Sequence, residues 1–524
     1  MRFGRGLLPA RREALAAFGS AALFAVAFPP FPLVFPAFLC LVPLAVLVAR
    51  LADGDGHTWS AARAGFWFGV LGYGATLYWI AVALSLFTKL AILGYVASLM
   101  WLAPIVGGTA AALFAARRAT RWPLAVLLPV VWTASELVLN YLLDLSFPWL
   151  PLGLALGRVP VLAQVADVSG VRGASACIAA VGGLLADAWL RRDHRAPAIA
   201  RVAGAALVVL AMAGYGTWRM RTTVLRPLAP VSIVQPDVPQ DEKWQEDNRE
   251  RIVGMTAALT REVLRRDVQQ LVVWPEVALP GYLYSNPQWR DTLRALALAE
   301  PTPVLFGVLD VRFRSADDYD YFNAAMLTDS AGAVDDSSAY HKGYLVPIVE
   351  RVPFLDPRWF QSLRYFGGFG RGEHPVPLRL GFGEVGVLIC YESVFPQLAL
   401  QYRRDGADVL VNITNDAWFG RSLAPYQHHA HLALRAIETR VGVVRAANTG
   451  ISGYIDPLGR VRAETGLFVP ATGTYAAETT DVTTLYVRWG DWLGRLCLVI
   501  TVALVLGDRR RARRARASAS AMAA

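Results

Sequence analysis

Two hydrophobic rhythms divide this chain. From Ala14 to about Trp218, apolar residues run in long stretches separated by short polar connections. From about Pro227 to Thr484 the apolar runs are short, bounded by Gly, Pro, Asn and Asp, and they alternate with segments of helical periodicity. One more long apolar stretch then leads into an Arg-rich tail. The first rhythm fits membrane-spanning helices, which need about 20 apolar residues each. Candidate spans fall at 14–28, 32–49, 64–84, 91–116, 123–142, 171–189, 201–218 and 490–507. Pro29, Pro30, Pro32 and Pro36 interrupt the first two, which also read as one re-entrant unit. No small-residue cleavage site precedes the later spans, so the first is expected to be retained rather than removed as a signal peptide.

The second rhythm is that of an α/β domain. Strands are expected at 231–236, 271–274, 303–309, 385–389, 409–413 and 443–446, and helices at 248–266, 287–298, 396–404 and 427–440. Residues 323–327 and 334–340 read as a hairpin around Ser330-Ala331-Gly332, and 451–455 with 461–463 as a second one. The order predicts a mixed sheet too long to be one doubly wound layer. Three sections follow: a transmembrane section over 1–225 with about seven helices, a soluble domain over 226–486, and a final helix with a basic tail over 487–524.

Composition agrees with this division. Only 18% of residues are charged, against roughly 25% in ordinary soluble proteins, and 55% are hydrophobic. The net charge of +10 is distributed by loop. Arg2, Arg5, Arg11 and Arg12 precede the first span, Arg50 and Arg63 flank the second loop, and Arg117, Arg118 and Arg121 lie in the fourth. Arg191, Arg192, Arg195 and Arg201 lie in the sixth, and Arg509 to Arg516 form the tail. These alternate loops are expected in the cytoplasm, with the soluble domain on the opposite side and both termini inside. Arg219, Arg221 and Arg226 run against the pattern but are outvoted. The tail reads as a stop-transfer flank, so no nucleic-acid partner is expected. Of the four cysteines, Cys40, Cys177 and Cys497 fall in candidate spans, and no spacing resembles a metal site. No metal or cofactor is expected.

That leaves Cys390, which ends the apolar run Val387-Leu388-Ile389. It is either a small packing residue or a nucleophile. Two polar groups also lie at the ends of strand-like segments: Glu276 after Trp274-Pro275, and Lys342 after Tyr340-His341. Sheets of this kind place their chemistry at such ends. A carboxylate can take a thiol proton and return it to a leaving group. An ammonium, together with the backbone N–H of Tyr391, can hold an oxyanion. Glu350 lies eight residues beyond Lys342, within a loop's reach of that ammonium. His428, His429 and His431 lack a partner set for a metal and read as solvated or packing residues.

At these residues the chain resembles the nitrilase superfamily and its Glu–Lys–Cys triad. Across nearly its whole length it is similar to the membrane-bound branch, the apolipoprotein N-acyltransferases. The carrying motifs are Val234-Gln235-Pro236 with Lys243-Trp244, Trp274-Pro275-Glu276, Tyr321-Phe322-Asn323, His341-Lys342 with Leu345-Val346-Pro347, and Glu350-Arg351-Val352-Pro353. Cys390-Tyr391-Glu392, the run 412–420 and the run 445–452 complete the set. The resemblance implies an αββα sandwich facing the periplasm of a bacterial inner-membrane protein. It implies Glu276 as acid and base, Lys342 as oxyanion stabiliser, Cys390 as nucleophile, and supporting roles for Trp244, Asn323, Glu350, Tyr391 and Glu392. Trp244 also reads as ordinary core packing. The implied partners are a phospholipid acyl donor of the phosphatidylethanolamine type, a diacylglyceryl apolipoprotein acceptor and membrane lipid. Between Lys342 and Cys390, Phe354, Trp359, Phe360, Tyr365, Phe366, Gly367, Gly368, Phe369 and Gly370 fit a lid or acyl-binding arm. A membrane-anchored amidase or nitrilase is the first rival. A transporter is the second, though Glu136 is the one clear charge within a span. An acyltransferase with another acceptor, such as a sugar lipid, is the third.

Overall fold

The computed structural model describes residues 6–315, 319–336, 339–356, 368–373 and 375–523. The chain divides into two compact units. One comprises the residues up to Tyr141, Leu150–Arg219 and everything from Asp491 on; the other comprises Leu142–Trp149 and Met220–Gly490.

The first unit is helical. By length and composition, four helices among the described residues can cross a membrane: Phe35–Asp53, Ala91–Thr120, Val171–Leu190 and Arg195–Thr222. A fifth is counted if Thr58–Thr76 and Trp79–Ser85, bent by 57°, form one span. The sequence expected about eight. The difference lies in helices that stop short or carry charge: Arg11–Ala25 has 15 residues, Leu124–Asn140 has 17, and Trp492–Ala523 includes Arg495, Asp508 and the Arg-rich tail. Glu136 is also less isolated than the apolar runs imply. Its Oε1 accepts from Trp132 Nε1 at 2.9 Å and from Leu152 N at 2.7 Å. Arg172 and Asp491 form a buried ionic contact, and Tyr141 donates to Asp491 at 2.8 Å.

In the second unit the strands are β1 Arg226–Gln235, β2 Leu271–Val273, β3 Leu279–Tyr282, β4 Val304–Phe313, β5 Tyr319–Leu327, β6 Tyr340–His341, β7 Leu378–Leu380, β8 Gly383–Ile389, β9 Val409–Thr414, β10 Gly442–Ala447, β11 Gly453–Ile455, β12 Val461–Glu464 and β13 Ala471–Thr479. Among the described residues they form two sheets, ordered β13-β1-β2-β4-β5-β6 with β3 beside β4, and β12-β11-β10-β9-β8-β7. Val231, Ile233, Val273 and Leu305 of the first sheet pack against Val387, Ile389, Val411 and Val443 of the second, all of them buried. This face-to-face layer explains why β8 to β10 read as continuous apolar runs: they are parallel and covered on both sides. The outer face of the first sheet packs on helices Arg249–Arg266 and Pro287–Ala299 through Val253, Ala257, Leu293 and Leu296. Helices Pro396–Arg404 and Ala424–Thr439 cover the second sheet. The layers are therefore αββα.

Two strand expectations change. The main partner of β5 is β4, from Leu305↔Leu327 to Phe313↔Tyr319. The expected hairpin partner shrinks to a Thr328–Val334 bridge and the two-residue β6. β13 was not legible as a strand, yet it pairs with β1 along its length.

Candidate active site

Four chain segments deliver the polar groups to one end of the sandwich. β2 ends at Val273, and the next residues turn sharply: Val277 has φ 47°, in the left-handed region that a β-branched residue disfavours. Gly307 of β4 lies so close that a Cβ there would stand 2.3 Å from Val277 N and 2.7 Å from Glu276 Cα. β6 pairs with β5 so that Lys342 N donates to Asn323 O at 2.9 Å, bringing Lys342 beside Asn323. β8 ends at Ile389, and Cys390 itself takes φ 51°. Such strained backbone costs about 1–3 kcal/mol and persists only where its surroundings hold it.

The carboxylate of Glu276 is 5% exposed. Its Oε1 accepts from Asn323 Nδ2 at 2.7 Å and lies 3.4 Å from Lys342 Nζ, while its Oε2 accepts from Asn415 N at 2.8 Å. Lys342 Nζ donates to Glu350 Oε1 at 2.8 Å, and Asn323 Nδ2 reaches the same oxygen at 3.2 Å. Burial disfavours the Lys342 ammonium, but Glu350, Glu276 and the Cys390 sulfur outweigh it and hold the group above its ordinary value. Burial pushes the Cys390 thiol well up, reinforced by the Glu276 charge and opposed by Lys342.

Glu392 is fully buried and ties two segments together. Its Oε1 accepts from Tyr340 Oη at 2.8 Å, Gly343 N at 2.6 Å and Tyr344 N at 3.2 Å, while its Oε2 accepts from Ile389 N at 2.8 Å. One side chain thus holds the loop after Lys342 to the strand before Cys390. Burial raises its carboxyl to about 7, against the pull of these donors. Tyr391 donates to Ser146 O at 3.0 Å and stacks on Trp149 with centroids 6.1 Å apart. Trp244 is 43% exposed, so core packing does not account for it.

Several groups escaped the sequence reading. His428 and its neighbours His429 and His431 are buried, not solvated. His428 Nε2 lies 3.0 Å from Cys390 O and 2.8 Å from Ser393 Oγ, and its Nδ1 lies 3.0 Å from Asp416 Oδ1. Arg445 pairs with Asp416 Oδ2 at 2.6 Å, and Thr414 donates to Oδ1 at 3.0 Å. Burial opposes the Asp416 charge, but Arg445 and His428 hold its carboxyl well below the usual range. This cluster braces the nucleophile candidate from behind. Trp149 stacks on His428 as well, at 5.5 Å. Nothing in local sequence connects residues 149, 390 and 428. Lys243, next to Trp244, is also buried, and its Nζ donates to the backbone O of Glu276 at 2.9 Å.

Of the expected arm, Trp359, Phe360, Tyr365, Phe366 and Gly367 lie outside the described residues. Phe354 is exposed. Phe369 packs edge-on against Tyr321 at 4.7 Å, and its N–H donates to Glu350 O at 3.0 Å. Gly370 N donates to Tyr321 O at 2.8 Å.

The two-sheet unit is a carbon–nitrogen hydrolase domain: the sequence profile of that family matches residues 231–483. The profile of the apolipoprotein N-acyltransferase N-terminal domain matches residues 20–184. Apolipoprotein N-acyltransferases from Geobacter metallireducens, Brucella melitensis and Nitrosomonas europaea are 33%, 31% and 31% identical to this chain. The alignments cover 96%, 96% and 95% of this chain and 96%, 98% and 98% of the relatives. The chain belongs to the apolipoprotein N-acyltransferase family. Among solved structures, an amidase of the nitrilase superfamily from Nesterenkonia aligns over 52% of this chain and 97% of its own, at 19% identity and a TM-score of 0.36.

Proposed function

We propose that this chain moves a fatty acyl group from a phospholipid to the α-amine of an N-terminal diacylglyceryl-cysteine, through a thioester on Cys390. The observation that carries the reading is the convergence of buried Glu276, Lys342 and Cys390 at one sheet end, in a chain of this family. Glu276 takes the Sγ proton as sulfur attacks the ester carbonyl. The oxyanion forms beside Lys342 and the N–H of Tyr391. As the C–O bond breaks, Glu276 returns the proton to the lysophospholipid oxygen. The acceptor amine then attacks the thioester, and its proton passes to the thiolate by way of Glu276. Asn323 and Glu350 position the two charges, Glu392 and Tyr391 hold the nucleophile, and Trp244 offers an exposed ring to substrate.

The same reading assigns the sections 1–225, 226–486 and 487–524 to membrane helices, a catalytic domain and a final helix with its tail. It places the enzyme in a bacterial inner membrane as a multi-pass protein, with the catalytic domain periplasmic and both termini cytoplasmic. The arginine distribution supports that orientation.

The test is mass spectrometry of Cys390 after incubation with phosphatidylethanolamine vesicles and no acceptor. An acyl adduct on Cys390 with one equivalent of lysophospholipid is expected, and Cys390→Ala must abolish both. Adding a diacylglyceryl-cysteine peptide must discharge the adduct onto its amine. Discharge to water alone, giving free fatty acid, would favour a hydrolase instead.

A further inference from the structure

Lys342 is not the one buried lysine at this end of the sandwich. Lys243, at the close of the short helix Gln240–Lys243, is 2% exposed. An ammonium brought that far from water needs anions or several acceptors around it. Among the described residues Lys243 has one hydrogen bond, to the main-chain oxygen of Glu276, which uses one of its three donors. Its segment is firmly placed. Val238 N donates to Asn448 Oδ1 at 2.9 Å, Asn448 Nδ2 donates back to Val238 O at 2.7 Å, and Asn415 Nδ2 donates to Gln240 Oε1 at 2.7 Å. Asn415 is also the residue whose N–H holds Glu276 Oε2. The lysine is therefore fixed against the residue that would act as base.

The charges explain why. Glu276 and Glu350 are two buried carboxylates in contact with one ammonium, that of Lys342. This trio leaves one negative charge uncompensated. In the proposed reaction that charge never leaves. It starts on Glu276, passes to sulfur as the S–H bond breaks and an O–H bond forms on the carboxyl, and passes to the ester oxygen as the S–C bond forms. A second cation makes the buried set neutral at every stage.

We propose that Lys243 is this cation, a positioning residue that holds the negative charge on Glu276 until the Cys390 proton is transferred. The role rests on the Glu276–Cys390 proton transfer proposed above. The titratable groups that act on Lys243 are Glu276 and, once its proton has left, Cys390; both favour its ammonium against the effect of burial, which lowers it to about 8. At pH 7 the ammonium therefore still predominates. Removing it leaves Glu276 only the Lys342 ammonium, which it shares with Glu350, and a carboxylate with less neighbouring positive charge takes up a proton at higher pH.

The experiment compares the full-length protein with Lys243→Met, Lys243→Gln and Lys243→Arg between pH 5 and 9. Two probes are used: iodoacetamide alkylation of Cys390, and acylation of Cys390 by phosphatidylethanolamine vesicles. The acid limb of both rates is expected to move up by about one pH unit in the Met and Gln variants. In the Arg variant the limb stays at the wild-type position, whatever its height. Profiles of Met and Gln that overlay wild type would overturn the proposal. So would an Arg variant that shifts as far as Gln, because that would show packing rather than charge. Should the Met variant fail to fold, the Gln–Arg pair decides. Iodoacetamide involves no acyl chemistry. A shift in alkylation without any acyl adduct on the wild type would keep Lys243's role and discard the acyltransferase reading.

Discussion

Glu392 offers the most demanding test of how the nucleophile is held. Its carboxylate receives four donors, three on Oε1 from Tyr340, Gly343 and Tyr344 and one on Oε2 from Ile389 N. Glu392→Gln preserves shape and can keep the oxygen facing the first three. It then turns an NH2 toward Ile389 N–H, one residue before the strained Cys390. A buried donor left unsatisfied costs about 1–3 kcal/mol. At about 1.4 kcal/mol per tenfold, that predicts roughly 5- to 140-fold slower acylation if the strain is released at Cys390. Glu392→Ala orphans all four donors and uncouples the Lys342 loop from the elbow, so its loss should exceed that of Gln. The assay is single-turnover formation of the Cys390 acyl adduct, run beside thermal melts in detergent. An Ala variant that acylates at the wild-type rate with an unchanged melting temperature would refute the reasoning, because among the described residues the Glu392 carboxylate is the hydrogen-bonded link between Gly343 and Ile389.

Three further outcomes follow from the same geometry. Burial raises the Glu392 carboxyl to about 7, above the ordinary value near 4.3, so its contribution favours the fold most below pH ~4.3 and is lost as pH rises through about 7. Melts from pH 5 to 8 should show that decline in the wild type and lose it in Glu392→Gln; equal slopes would contradict it. Asp416→Asn breaks the buried pair with Arg445 and should cost about 3–5 kcal/mol, seen as a melting temperature lower by roughly 10 °C, with slower acylation of Cys390. An unchanged melt would contradict the bracing role of the cluster. Gly307→Ala sets a Cβ 2.3 Å from Val277 N and should displace Glu276, lowering the acylation rate more than stability, which should fall by about 1–3 kcal/mol; wild-type acylation would contradict it.

Some of this site was legible before any coordinates. Glu276, Lys342 and Cys390 each follow an apolar or aromatic run, and a sheet that ends its strands together brings such residues together. The Glu350–Lys342 contact was also legible, because eight residues is a short loop. Glu392 was visible only as a neighbour of Cys390; that it binds the Lys342 loop depends on a sheet register no local pattern encodes. His428 looked like one of three helical histidines, and its meaning comes from Asp416 and Arg445, which arrive from β9 and β10. Trp149 lies between apolar runs far from the thiol in sequence, so its stacking on Tyr391 and His428 had no local signal. β13, Ala471–Thr479, begins Ala471-Thr472-Gly473-Thr474-Tyr475 and lacks an apolar alternation there, as suits a sheet edge with partly exposed side chains.

The electrostatics of the thiol constrain how this site can work. Many cysteine nucleophiles rest as thiolates beside a cation. Here burial and the Glu276 charge push the thiol up more than Lys342 brings it down, so Cys390 rests protonated at neutral pH. In the proposed reaction, attack therefore requires Glu276 to receive the proton in the same event. A resting thiol also suits a site awaiting an ester, because it does not spend its nucleophile on passing electrophiles. The strained elbow, the Glu392 strap and the Asp416–His428–Arg445 brace act first on the backbone around sulfur, and the Asp416 charge adds a smaller upward push on the thiol than Glu276 does. These supports fix where sulfur points and leave ionisation chiefly to the Glu276 carboxylate. Such a division predicts that variants of the brace lower the rate more than they move its pH dependence, whereas variants of the Glu276–Lys243 pair move the pH dependence itself.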